Sequence, residues 1–207
     1  MKIIVTKDYE EMSAKAFEIM LDTVKKNPNA VLGLATGSTP IGLYKNMARD
    51  HRENGTSYRG IRTVNLDEYA GLGGDHPQSY ACFMRTNLFD ALDIDLANTN
   101  IENGLAGNAE QECARYNAVL DSLQQDIQIL GIGSNGHIAF NEPGTPFGSV
   151  THVVQLAEST IKDNSRLFDS IDEVPRSAFT MGLKNIMQAK KIVILANGAN
   201  KANAVYG

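Results

Sequence analysis

The chain has 207 residues, of which 43% are hydrophobic and 21% charged, and its formal net charge is −5. Without a linker, repeat or low-complexity stretch, these values predict a single globular domain over residues 1–207 with a substantial core. The acidic balance argues against a nucleic-acid-binding protein, and the longest apolar runs are too short to span a bilayer, so no membrane partner is expected.

Segments with strand-like and helix-like hydrophobic periodicity alternate along the chain. The predicted strands cover residues 3–6, 31–35, 61–66, 127–130, 152–156 and 192–196. The predicted helices cover residues 8–26, 40–52, a stretch around 80–92, 109–123, 175–189 and 200–206. This alternation is typical of α/β proteins, whose helices cover both faces of a mostly parallel sheet. We therefore predict a single-domain, Rossmann-like, doubly wound α/β fold.

Three polar loops follow predicted strands, at residues 36–40, 67–77 and 131–144. The carboxyl ends of parallel strands share one edge of a sheet, so we expect these loops to meet there. Loops at that edge are where α/β proteins place their chemistry.

The first of these loops reads Thr36-Gly37-Ser38-Thr39-Pro40. Thr39 is predicted to be the N-cap of the next helix and Pro40 its first residue. The free N–H groups of a helix N-terminus, together with the three hydroxyls and an approachable Gly37, would hold a phosphate. No Gly-Lys-Ser/Thr follows, so the loop is not a Walker A motif. An ordinary capped turn accounts for the pattern equally well.

The loop at 131–144 holds His137 and Glu142 beside several glycines. An imidazole titrates near neutral pH and a carboxylate can orient it, so the pair indicates proton transfer. A structural loop histidine is the alternative, and without a third ligand no metal site is expected. The loop also matches the dinucleotide-binding glycine pattern, but Pro143 and Pro146 prevent the helix that this pattern requires.

Three further charged residues are candidates. Asp67 ends the third predicted strand, where a carboxylate serves either as a base or as a surface cap. Arg166 and Lys201 are candidate phosphate ligands only if the fold brings them to the 36–39 turn, where a guanidinium and an ammonium would bind a phosphate from two sides. Cys82 and Cys113 have no metal-binding spacing and no signal peptide is apparent, so a reducing, cytoplasmic location is predicted.

Four segments, taken in order, resemble the glucosamine-6-phosphate deaminase family: residues 32–40, 65–69, 130–144 and 164–166. The likeness runs from the first strand to about Lys201. It implies the conversion of glucosamine 6-phosphate and water to fructose 6-phosphate and ammonia, without a cofactor or a metal. Two other functions stay open, namely a 6-phosphogluconolactonase-like hydrolase and a phosphosugar-binding module without catalysis.

The resemblance also implies roles for individual residues. Asp67 would take the C2 proton of the sugar and return it at C1, and His137 would open the ring by moving a proton between O1 and O5. Asn135 and Glu142 would orient and tune His137. The implied phosphate ligands are Thr36, Gly37, Ser38, Thr39, Arg166 and Lys201.

Two departures from the family pattern stand out. Family members continue beyond Gly207, so their C-terminal helix and strand are expected to be missing here. Positions that match a family's allosteric anion site hold His152 and Val154, which implies an enzyme without allosteric activation. The pattern favours neither a monomer nor a homo-oligomer.

Overall fold

The structure is a computed structural model that describes residues 1–206, apart from the side chains of Ser159 and Asp163. The strands are β1 Val31–Leu34, β2 Arg62–Asn65, β3 Asp67–Tyr69, β4 Thr99–Asn100, β5 Ile127–Leu130, β6 His152–Gln155, β7 Ser177–Thr180 and β8 Ile192–Ile194. The helices are α1 Tyr9–Lys26, α2 Ile41–Asn54, α3 Tyr80–Asn87, α4 Ala109–Ser122, α5 Glu158–Asn164, α6 Leu183–Met187 and α7 Ala202–Tyr206.

Five strands form a parallel sheet in the order β4-β2-β1-β5-β8. The chain starts at β1, moves outward through β2 to β4, and then returns to add β5 and β8 on the other side. Strand order therefore reverses between β1 and β5, which is the place where open α/β sheets bind ligands. The predicted, mostly parallel α/β architecture is confirmed.

At this reversal point, a glycine of β1 packs against a polar side chain of β5. A Cβ atom on Gly33 of β1 would lie 2.0 Å from Oε1 of Gln128 on β5, so a larger residue would displace that side chain. Gln128 is fully buried, and its Nε2 donates to the Ile129 carbonyl at 2.9 Å. Glycine at position 33 thus allows β1 and β5 to pair with a polar side chain packed across them.

Helices cover both faces of the sheet. Leu32 and Leu34 of β1 pack against α1, α2 and α3, whereas Val31 packs in a second cluster with α4 and α6. Four apolar side chains spaced four residues apart along α1 are all buried: Met12, Ala16, Met20 and Val24. Because successive side chains of a strand point to opposite faces, one short strand contributes to both layers of the core.

A second sheet, which was not predicted, contains β3, β7 and β6 in antiparallel order. Strand β3 follows β2 almost directly, so the chain leaves the parallel sheet and enters this one at Asp67. The register places Asp67 opposite Thr180 and Tyr69 opposite Ala178. The second sheet therefore starts at the carboxyl edge of the first.

The helix predicted over residues 175–189 is wrong. Residues Ser177–Thr180 form β7, and only Leu183–Met187 are helical. Gly182 separates the two elements, and a Cβ there would lie 2.3 Å from the Ser149 carbonyl oxygen. Long-range pairing with β3 and β6 decides the structure of this segment, and such pairing leaves no trace in local periodicity.

Two smaller predictions near the N-terminus are also wrong. Residues 3–6 do not form a strand; Ile3 and Val5 are 75% and 90% exposed, so they lack the apolar contacts that favour a strand. The N-cap of α2 is Pro40, without a side-chain capping bond, and Thr39 lies before it. Across residues 1–206, the structure contains no helix that combines the length and the apolar character needed to cross a membrane.

Candidate active site

The carboxyl ends of β2, β1, β5 and β8 lie side by side in the parallel sheet. They lead, respectively, into Asp67, the turn at 36–39, the loop at 131–144 and the segment at 195–201. All the candidate residues except Arg166 therefore come from neighbouring strand ends on one edge. The turn and the loop flank the point where strand order reverses.

The 36–39 turn, hereafter the phosphate turn, is held by its backbone. Gly37 has a φ of +88°, in the left-handed region that favours glycine. At the start of the turn, the Tyr44 hydroxyl donates to the Ala35 carbonyl at 2.5 Å and accepts from its N–H at 3.2 Å. No described residue accepts a hydrogen bond from the N–H groups of Gly37, Ser38 or Thr39. Such free N–H groups before a helix can bind an anion.

A cleft of about 510 Å³ opens beside the phosphate turn. Ser38 and Thr39 of the turn line it together with Lys201. The complete lining is Tyr9, Ser38, Thr39, Ile41, Asn197, Asn200 and Lys201. Its size lies in the range of small-molecule sites, and its hydroxyls, amides and one ammonium suit a phosphorylated polar ligand.

Arg166 is not part of this lining. It is exposed, in the single 3₁₀ turn Ser165–Leu167 that follows α5. The adjacent Asn164 donates from Nδ2 to the Tyr69 hydroxyl at 2.7 Å, which ties the segment to β3. The structure thus brings Lys201 to the phosphate turn and leaves Arg166 outside the cleft.

The loop at 131–144, hereafter the histidine loop, is organised around Asn135. Its Nδ2 donates to Glu142 Oε2 at 2.7 Å, and its Oδ1 accepts from the His137 N–H at 3.1 Å. The Gly133 N–H donates to the His137 carbonyl at 2.8 Å. A Cβ on Gly133 would lie 2.4 Å from the imidazole, so the ring packs directly on a glycine backbone.

The charge state of His137 follows from its surroundings. Burial lowers the pKa of His137, the Glu142 carboxylate raises it to a smaller extent, and the Lys201 ammonium lowers it further. The net pKa lies below the ordinary value, so the ring is neutral near pH 7. A neutral imidazole has one donor and one acceptor nitrogen and can pass a proton between two oxygens.

The end of the histidine loop is anchored to β7. Asn141 is buried, and its Nδ2 donates to the carbonyls of Ile138 and Met181 at 3.0 and 2.9 Å. The Phe140 N–H donates to Thr180 Oγ1 at 3.2 Å. Between these anchors Ala139 has a φ of +54°, a strained conformation for a residue with a Cβ.

Asp67 lies opposite Thr180 and therefore next to that anchor. It is only 6% exposed, and burial together with the charge of Glu68 raises its pKa to about 8. A carboxyl with a pKa near neutrality can accept a proton from carbon and return it. Asp67 and the histidine loop thus share β7 as a common support.

Glu68 differs sharply from Asp67 although the two are adjacent. Its carboxylate accepts backbone N–H bonds from Tyr69, Tyr80 and Ala81 at 2.8, 2.9 and 2.9 Å. Two of these donors belong to the first turn of α3, where the helix dipole also favours negative charge. Burial raises the pKa of Glu68 and these bonds oppose the rise.

Sequence reasoning missed several residues near Asp67. The rings of Tyr69 and Tyr80 lie 4.8 Å apart, and Phe140 and Phe168 pack on Tyr69 at 6.1 and 6.3 Å. Burial raises the pKa of both tyrosines, and the charge of Asp67 raises it further. Tyr80 stood out only as part of a buried helix stripe, so no signal in the sequence linked it to the site.

Glu102 was missed as well. It is 2% exposed, and neither carboxyl oxygen accepts a hydrogen bond from a described residue. Burial raises its pKa well above 4.5, and the charges of Asp67 and Glu68 raise it further. Among the described residues, no three His, Cys, Asp or Glu side chains converge as the ligands of a metal ion would.

Comparison with known proteins agrees with this geometry. Residues 7–207 match the family described as glucosamine-6-phosphate isomerases/6-phosphogluconolactonase. A glucosamine-6-phosphate deaminase from Geobacillus sp. is 55% identical over 98% of this chain and 81% of its own. One from Clostridium perfringens is 53% identical over 99% of this chain and 85% of its own. The chain therefore spans most, but not all, of their length.

Solved structures give the same result. A monomeric glucosamine-6-phosphate deaminase superimposes with a TM-score of 0.97 at 50% identity, covering 100% of this chain and 86% of its own. The 6-phosphogluconolactonase of Trypanosoma brucei has a TM-score of 0.78 at 23% identity, covering 99% and 84%, which shows a shared fold alone. The chain belongs to the family of glucosamine-6-phosphate isomerases and 6-phosphogluconolactonases.

Proposed function

We propose that this protein is an enzyme that converts glucosamine 6-phosphate and water to fructose 6-phosphate and ammonia. The observation that carries the proposal is the convergence, on one sheet edge, of a buried aspartate, a neutral histidine and a cleft suited to phosphate. High identity to deaminases over nearly the whole chain supports the same reaction.

The phosphate of the substrate binds between the phosphate turn and Lys201. The N–H groups and hydroxyls of Ser38 and Thr39 donate to its oxygens, and the ammonium supplies opposite charge. Arg166, which lies outside the cleft in this structure, is the second cation that we propose for this group. Binding energy from the phosphate orients the sugar toward the loops that react with it.

His137 opens the pyranose ring. Its acceptor nitrogen takes the proton of the O1 hydroxyl, and its protonated ring gives a proton to O5 as the C1–O5 bond breaks. Asn135 bonds the main chain of His137 and the Glu142 carboxylate at the same time, so we propose that it keeps the ring in place. Glu142 stabilises the imidazolium that forms briefly.

Asp67 carries out the isomerisation. Its carboxylate takes the proton from C2 of the open-chain aldehyde while O1 accepts a proton from the ammonium group of the substrate, which gives an enolamine. The resulting acid returns its proton to C1, which gives an iminium at C2. Water hydrolyses this iminium to the ketone of fructose 6-phosphate and ammonium, the protonated form of ammonia. No electron leaves or enters the substrate, so these residues suffice and we propose that no cofactor takes part.

We also propose a cytoplasmic location. Cys82 and Cys113 are both free thiols, which is typical of proteins kept in a reducing compartment.

Ammonia release tests the proposed function. Purified protein given glucosamine 6-phosphate should form ammonia and fructose 6-phosphate in equal amounts. The Asp67→Asn variant should lose roughly a thousandfold or more in kcat, because the base is absent. Asp121→Asn, an exposed change on α4, is the matched control and should keep full activity.

Two outcomes would overturn the proposal. Hydrolysis of 6-phosphogluconolactone without turnover of the amino sugar would assign the chain to the other activity in the family name. Tight calorimetric binding of glucosamine 6-phosphate without product over hours would assign it to non-catalytic binding.

A further inference from the structure

Tyr9, the first residue of α1, reaches the phosphate turn with its hydroxyl. The hydroxyl oxygen lies 2.9 Å from the Ser38 carbonyl and 3.1 Å from the Thr39 carbonyl, to which it donates. It also accepts a hydrogen bond from the Gly42 N–H at 2.8 Å. One hydroxyl thus joins the end of the phosphate turn to the first turn of α2.

The contact requires a glycine at position 42. A Cβ there would lie 2.1 Å from Ser13 Oγ and 3.1 Å from Cε1 of Tyr9, both on α1. Glycine therefore lets the two helices approach closely enough for the hydroxyl to reach the backbone. Sequence analysis attached no role to Tyr9 or Gly42.

The hydroxyl replaces a cap that α2 lacks. Pro40 stands at the N-cap without a side-chain hydrogen bond, and a helix start leaves several N–H groups unpaired. Tyr9 satisfies one of these donors from a different helix. Because it also binds the Ser38 and Thr39 carbonyls, it fixes the peptide planes of the turn.

The orientation of those planes determines where the donors point. In a planar trans peptide the N–H points opposite to the C=O, so the Thr39 N–H points away from Tyr9 when the Ser38 carbonyl points toward it. No described residue accepts a bond from this N–H. Ser38, Thr39 and Tyr9 all line the cleft that Lys201 also lines.

We propose that Tyr9 is a positioning residue of the phosphate site, whose hydroxyl holds the Ser38 carbonyl so that the opposed Thr39 N–H faces the phosphate of the substrate. This inference rests on the proposed function, since it assigns the phosphate to that turn. Tyr9 acts through the turn and contributes to affinity, whereas the reacting carbons lie with Asp67 and His137.

The Tyr9→Phe variant tests the inference, because it removes the hydroxyl and keeps the ring. KM for glucosamine 6-phosphate should rise roughly three- to tenfold, the equivalent of one hydrogen bond, while kcat stays within about twofold. Competitive inhibition by inorganic phosphate should weaken by the same factor. Tyr58→Phe is the matched control: its hydroxyl is buried without a described partner, so neither constant should change.

A lower melting temperature for Tyr9→Phe with unchanged KM and phosphate inhibition would overturn the inference, as would a loss confined to kcat. If the wild-type protein releases no ammonia, the proposed function fails, and calorimetric titration with inorganic phosphate then decides about Tyr9 separately. Weaker phosphate binding by Tyr9→Phe supports the positioning role. Equal binding, or no binding by the wild-type protein, overturns it.

Discussion

Two adjacent carboxyl groups, Asp67 and Glu68, lie in different surroundings. Strand alternation points them to opposite faces of β3. Glu68 meets three backbone N–H donors, whereas Asp67 is buried and faces the negative charge of its neighbour. Asp67 therefore becomes a base with a pKa of about 8, near neutrality.

The activity should therefore depend on pH through Asp67. The base works only when ionised, so kcat/KM should rise about tenfold per pH unit on the acid side and level off near the Asp67 pKa of about 8. Glu68→Gln removes the neighbouring charge and should move the acid limb of the kcat/KM profile to lower pH. The position of this limb is measured from kcat/KM across the pH range.

The control for this profile is Glu53→Gln, an exposed change in α2 that should leave the limb in place. An unmoved limb in Glu68→Gln, or a shift to higher pH, would contradict the electrostatic role of Glu68.

From the sequence, His137, Glu142 and Asp67 became candidates because their side chains suit proton transfer and their loops follow strands. Their catalytic roles were implied by the family resemblance and stay predictions. The partners of Glu68 could not, because Tyr80 and Ala81 meet it only after α3 folds against β3. Asn135 joins Glu142 to the His137 main chain, and this role likewise depends on the folded shape of the loop, which local sequence patterns do not show.

Among the elements, the histidine loop shows how backbone geometry sets a side chain. Its glycines differ in function: Gly133 lies against the imidazole of His137, whereas a Cβ on Gly131 would meet nothing within 4 Å. Neither has a positive φ, so alanine is compatible with the backbone at both positions.

The Gly133→Ala variant should displace the His137 ring and lower kcat by about a hundredfold, because misplacement by about 1 Å has that effect on a reacting group. The melting temperature should fall little, since the loop lies at the surface. Gly131→Ala is the matched control. Steady-state kinetics and thermal unfolding of both variants test the prediction. Equal kcat values for the two variants would contradict the contact between Gly133 and His137 as the cause.

The second sheet explains where element prediction fails. Strands β1, β2 and β5 are apolar runs bounded by polar loops, and each was predicted within a residue or two. Strand β7 was predicted to be helical because its spacing of apolar residues fits a helix. Its pairing with β3 and β6 involves residues far away in the chain, and this pairing outweighs local preference.

In the whole molecule, the buried carboxyl side chains of Asp67, Glu68 and Glu102 lie near the carboxyl edge of the parallel sheet. Glu102 follows β4, which pairs with β2, so it lies beside the chain that leads to Asp67. The nearby Arg115 bonds Glu112 at 2.6 Å instead. Burial therefore makes Glu102 hold its proton to a higher pH in the folded protein than in the unfolded chain, where it ionises above pH 4.5.

This difference should make stability depend on pH. Between pH 4.5 and the raised pKa the folded state holds one more proton than the unfolded state, so the unfolding free energy falls as pH rises, by about 1.4 kcal/mol per pH unit for one proton. Glu102→Gln has no such proton, so its stability curve should be less steep by about that amount.

Urea denaturation from pH 5 to 8 measures the two curves, with Glu110→Gln, an exposed change on α4, as the control. Parallel curves for the wild-type protein and Glu102→Gln would show that Glu102 is ionised in the folded state, contrary to its burial.

The overall architecture was predictable because alternating strands and helices allow few arrangements. The meeting of the phosphate turn with Lys201 follows from that architecture. The position of Arg166 does not, since its 3₁₀ turn lies outside the parallel sheet. The topology of the sheet therefore predicts where residues at strand ends lie. The positions of residues on outer segments can be determined only from the structure.

The most direct test of the common site is a crystal structure of the Asp67→Asn variant with glucosamine 6-phosphate. We expect the phosphate between the turn at 36–39 and Lys201 Nζ, the ring oxygen near His137, and C2 next to the side chain at position 67. A sugar bound with its phosphate away from that turn, or with C2 beyond contact of position 67, would contradict the account.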